Sequence, residues 1–152
     1  MGLGILILKL GDSLKMMYCF FFLIALGERI GEVERRLELH GATIKETDQA
    51  TAYAMRYVIS HDGNVEEMAK HIEEIDDVEI LSLGNGLELI KDLGDADVVS
   101  DAYGLGQFNG SHAIGHTRMA TESDVDIRSA HPYWAFPYND ISVVHNGQIT
   151  NY

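Results

Sequence analysis

The stretch GSHAIGHTRMATESDVDIRSAHPYWAFPYNDISVVHNGQITNY, residues 110–152, holds two apolar strand-like runs that each deliver polar groups at or near an end. The first, residues 113–121, carries His116, Thr117, Arg118 and Thr121. The second, residues 141–144, runs into His145, Asn146 and Gly147. Short buried strands that end in chemically capable residues are how a rigid sheet presents a site. Between them, residues 122–140 form a long connection with both prolines, Pro132 and Pro137, and the single tryptophan, Trp134. A connection of that length without evident structure is often functional.

Upstream, local signals mark the elements. Residues 2–8 (GLGILIL) and 16–26 (MMYCFFFLIAL) are the most apolar runs. Lys9, Asp12 and Lys15 separate them, so neither reaches the roughly 18–20 apolar residues needed to span a bilayer. They read as a pair of buried strands, or a strand and a helix, in a central layer. Residues 16–26, with two lysines ahead of them, also have the form of a signal-peptide core. Residues 27–40 place Ile30, Val33, Leu37 and His40 on one helical face, with Gly41 as C-cap. Residues 47–60 are ambiguous, with helix formers first and a strand-like Tyr57-Val58-Ile59 later. A turn at His61-Asp62-Gly63 precedes Asn64, the N-cap of a helix to about Ile75 with Glu67 three residues on. Residues 78–83 and 87–90 read as a hairpin about Asn85-Gly86, and residues 95–105 as a short helix ended by Gly104 or Gly106. The glycines from 104 to 110 do not have the spacing of a dinucleotide loop.

With 152 residues, one domain is expected, and composition is that of a globular chain. A net charge of −13 argues against a nucleic-acid groove, which needs clustered Lys and Arg to meet phosphate. The acids of residues 66–79 read as the solvated face of a helix. With Cys19 as the single cysteine there is no internal disulfide, which suits a reducing, cytoplasmic compartment.

Two motifs, Gly115-His-Thr-Arg-Met-Ala-Thr121 and Val144-His-Asn-Gly147, with Ala130-His-Pro132 between them, resemble the class II, N-terminal-nucleophile glutamine amidotransferases. The similarity is nearest to amidotransferase subunits of the glutamate-synthase type. It implies an α+β fold, a partial N-terminal-nucleophile αββα sandwich with antiparallel sheets. It also implies a glutaminase half-reaction: a thiol attacks the side-chain amide of glutamine, ammonia leaves for an acceptor subunit, and water releases glutamate. Arg118 would hold the α-carboxylate bidentately, with Thr121 and His131 as further substrate contacts. Asn146 and Gly147 would supply the oxyanion hole, a side-chain amide and a backbone N–H facing the developing charge. No metal or organic cofactor is implied.

The chain departs from that pattern at its start. The family nucleophile is an N-terminal cysteine followed by glycine, activated by its own α-amine; here residues 1 and 2 are Met and Gly. The one candidate thiol is Cys19, followed by Phe20, where a buried structural cysteine in an apolar run is the better match. The family's early Arg-Gly-x-Asp-Ser segment and the acidic residue after the Asn-Gly pair are not found. Residues 1–152 are therefore expected to be a truncated or degenerate amidotransferase domain, with residues 1–27 an apolar segment of uncertain role. A second reading is a glutamine-binding or partner-subunit module without catalysis. A third, a metal enzyme, rests on His112, His116, His131 and His145, but no HExxH or paired cysteines accompany them.

Overall fold

A computed structural model describes residues 2–8, 18–25, 27–118, 126–128 and 130–145, with backbone alone at residues 2–8, 18–22 and 118. The fold is α+β and its sheets are antiparallel. Strands β1 (Gly2–Leu8), β6 (Leu87–Leu93) and β7 (His112–Arg118) form one sheet in the order β6-β1-β7. Strands β2 (Tyr18–Ala25), β3 (Thr43–Gln49), β4 (Ala54–Ser60) and β5 (Val78–Gly84) form a second, ordered β3-β4-β2-β5. A two-stranded ribbon, β8 (Tyr133–Trp134) with β9 (Ser142–Val143), follows.

Helices α1 (Gly27–Leu39) and α2 (Val65–Glu73) cover the outer face of the second sheet. Their Val33, Leu37, Met68, Ala69 and Ile72 pack on Leu23, Met55, Tyr57, Ile59 and Ile80, all buried. A second cluster joins the two sheets: Ala54, Leu81 and Ile90 meet Val99 and Tyr103 of α3 (Ala96–Tyr103). The helix ends follow the expected chemistry. Asn64 accepts from the N–H groups of Glu66 and Glu67, and Asp95 from that of Val98. Gly41 (φ +78°) and Gly104 (φ +60°) take the left-handed conformation that ends a helix. The acids of α2 are mostly solvated, except that Glu73 turns inward to accept from the Ile80 N–H at 2.5 Å.

Two open readings are resolved and one expectation is corrected. The apolar runs, read as a strand pair or as a strand and a helix, are both strands, over 2–8 and 18–25, each interior to a different sheet. Strands β5 and β6 are not a hairpin: they lie in different sheets, and the Asn85-Gly86 corner carries the chain from one layer to the other. The reason is burial on both faces, since six of the seven residues of each strand are buried and each needs cover on two sides. Finally, residues 47–49 end a strand rather than begin a helix. β3, TIKETDQ, is a solvated edge strand whose exposed Lys45, Glu46 and Asp48 suit an unpaired border, and its ladder to β4 outweighs local propensity.

Among the described residues no helix is long and apolar enough to cross a membrane.

Candidate functional site

The two motif strands meet through a stack of rings. β7 runs antiparallel to β1, with His116 opposite Gly4 and Arg118 opposite Gly2. His116 projects a half-buried ring whose centroid lies 5.0 Å from that of His131. His131, buried, lies in turn 4.5 Å from the Tyr133 ring. The Nδ1 of His131 accepts from the His145 backbone N–H at 3.1 Å. That role needs the Nδ1 lone pair, so a neutral His131 carries its proton on Nε2. His131 thereby connects the strand ending in Arg118 with the backbone that leads into Asn146.

The segment carrying His131 is held at two further points. Asp140, at φ +59°, accepts from the N–H groups of Gly86 and Leu87 at 2.8 and 3.0 Å. Its own N–H reaches the Leu83 carbonyl at 3.4 Å, so the β5–β6 corner grips the approach to β9. At the other end, the Lys91 ammonium donates to the carbonyls of Arg128 and Ala130 at 3.3 and 3.1 Å. Lys91 also lines a cleft of ≈ 410 Å³ with Glu73, Glu79, Arg128, Tyr133 and Trp134. Burial draws the Lys91 pKa down to about 8, against the pull of Glu79 and Asp126. Burial likewise pushes the Glu73 carboxyl above its ordinary value, helped by Glu79.

The Asp140 contact depends on glycine at position 84. A Cβ there would fall on Asp140 Oδ1 and lie 2.9 Å from the Leu87 carbonyl oxygen. Gly84→Ala is therefore expected to cost about 1–3 kcal/mol by forcing backbone apart. Denaturant melts check this; an unchanged midpoint would show that the corner yields freely.

Of the expected site residues, His131 is placed at the centre of the ring stack. The Arg118 backbone lies at the end of β7, while its side chain, Thr121, Asn146 and Gly147 lie outside the described residues. The Cys19 backbone pairs with Ile59 near the start of β2, in the sheet that does not contain β7. Two expectations about the motif strands change. Both runs were expected to be buried, but β7 is an edge strand with Ile114 47 % exposed, and Val143 of β9 is 55 % exposed. Lys91 and Asp140 were not foreseen; the one signal was a charged residue inside the apolar run Leu87-Glu-Leu-Ile-Lys91. No group of three or more His, Cys, Asp or Glu positioned to hold a metal is found among the described residues.

With this geometry in place, comparison with known proteins gives the class. No family model matches the chain. Over 100 residues, 66 % of this chain, it is 43 % identical to a protein of Methanothermobacter thermautotrophicus provisionally described as a glutamine amidotransferase, of which the match covers 33 %. Over 76 residues, 50 % of this chain, it is 41 % identical to the glutamine amidotransferase-like protein GlxB of Rhizobium meliloti, covering 25 % of that protein. Over 75 residues, 49 % of this chain, it is 36 % identical to the isomerizing glutamine–fructose-6-phosphate aminotransferase of Vibrio vulnificus, covering 12 % of it. The chain is similar to proteins of the glutamine amidotransferase class, and these matches span a third or less of each relative's length.

Proposed function

We propose that this chain carries the glutamine site of an amidotransferase. The observation that supports it best is the His116–His131–His145 connection, which joins the Arg118 strand to the Asn146 segment. In this reading Arg118 grips the α-carboxylate of glutamine, with Thr121 and His131 beside it. Asn146 Nδ2 and the Gly147 N–H receive the charge that builds on the amide oxygen. Cys19, the only thiol, is the candidate nucleophile. Its sulfur forms a thioester as the C–N bond breaks, the thiol proton leaves with ammonia, and water then releases glutamate and restores the thiol. Ammonia passes to an acceptor subunit of the glutamate-synthase type, in a reducing cytoplasm that keeps Cys19 free.

One observation favours a second reading, glutamine binding without hydrolysis: Cys19 lies within β2, a sheet away from β7. Ammonia release from glutamine by the purified chain and its Cys19→Ser variant separates the two. Release that disappears in Cys19→Ser supports hydrolysis through this thiol. Release that persists removes Cys19 from the mechanism. Saturable glutamine binding with no ammonia from either protein establishes the second reading.

A further inference from the structure

Lys91 occupies a place that glutamine chemistry does not require. It sits 5 % exposed in β6, among Leu87, Leu89 and Ile90, where an ammonium is costly to desolvate. Two of its donors face the carbonyls of Arg128 and Ala130 in the loop before β8, and the ammonium lies 5.5 Å from the centroid of the Tyr133 ring of β8. Of the described residues from 126 to 145, only Ala130, His131 and Pro132 are buried. The buried part of the segment is thus the part that Lys91 holds. The other ties nearby are weaker. The Arg128–Glu79 ion pair is largely exposed on the arginine side, and the β8–β9 ladder is two residues long.

We propose that Lys91 is a positioning residue: by fixing the Ala130 carbonyl and the Tyr133 ring on either side of His131, it sets the His131 ring and so the His145 backbone that enters the Asn146-Gly147 motif. The part concerning His131 and His145 stands on the described geometry alone; its consequence for glutamine rests on the function proposed above. The charged and titratable groups around Lys91 are Glu73 from α2, Glu79 from β5, Asp126 and Arg128 from the loop, and Tyr133 from β8.

The test uses the whole chain with ¹⁵N-labelled histidine, wild type and Lys91→Met. In wild type, His131 shows one tautomer with Nδ1 as acceptor, and the His145 amide is protected from exchange. In folded Lys91→Met, that single tautomer is lost, His145 exchange rises about tenfold or more, and glutamine affinity falls by a similar factor. Unchanged His131 and His145 signals in folded Lys91→Met overturn the proposal. A second measurement decides should the variant fail to fold: in wild type, the His131 and Tyr133 signals move with a midpoint at the Lys91 pKa, about 8. Lys91 titrating while those signals stay fixed overturns it equally. Should wild type bind no glutamine, the function reading fails, and the His131 readout still judges the role of Lys91.

Discussion

Replacing Arg118 by alanine is expected to weaken glutamine binding about 100-fold or more while leaving the thermal midpoint of the chain unchanged. A guanidinium offers a carboxylate two parallel charged hydrogen bonds, and bonds to charged groups contribute about 1.5–3 kcal/mol each. Losing the fork removes both, and each 1.4 kcal/mol or so is a factor of ten in affinity. Arg118 ends an edge strand, and its pairing with Gly2 is made by backbone that alanine retains. Arg118→Lys should recover only part of the loss, because an ammonium is a point charge without the planar fork. Calorimetry with glutamine checks all three proteins. Equal affinities in wild type and Arg118→Ala would remove Arg118 from the site.

The largest stability effect is expected at Arg56. Its guanidinium, on β4, reaches Glu88 on β6 and so ties the two sheets together. It also donates to Asp48 at 2.8 Å and lies 5.7 Å from the Phe108 ring centroid. The Glu88 side chain is 1 % exposed and that of Arg56 13 %. Removing the cation leaves Glu88 a buried carboxylate without its guanidinium, which costs about 3–5 kcal/mol, far more than a surface pair contributes. Arg56→Met should therefore lower the denaturation midpoint strongly at unchanged slope. Changing both partners, Arg56→Met with Glu88→Leu, should recover most of that loss, since a buried pair replaced by apolar groups of similar size is often neutral. A single variant that loses under about 1 kcal/mol would place the pair in the solvent-screened regime instead.

These residues also show what the sequence discloses. The caps at Asn64, Gly41 and Gly104 were legible because a cap is satisfied within a few residues of itself. The strand identity of residues 78–83 and 87–90 was legible from alternation, but their partners were not. Asn85-Gly86 reports on a local corner, and whether that corner closes a hairpin or crosses between sheets depends on β1 and β2, more than fifty residues earlier. The solvated β3 lacked an apolar period and was invisible until β4 paired with it. At the candidate site the motifs around Arg118 and Asn146 were legible as residue types in order, and His131 was drawn from the same pattern. Lys91 and Asp140 were not, because their hydrogen-bond partners lie 37 to 57 positions away.

The distribution of histidines allows the most direct test of a glutamine site between β7 and residues 131–145. Of the seven, His112, His116, His131 and His145 lie in that region. His40, His61 and His71 form a separate group about the α1 and α2 ends, with His40 Nε2 2.9 Å from His71 Nδ1. L-glutamine titrated into histidine-labelled chain, followed by ¹H–¹⁵N spectra, should shift the ring signals of His116 and His131 and the His145 amide saturably, and leave those of His40, His61 and His71 in place. Shifts confined to the second group, or none at saturating glutamine, would contradict the site.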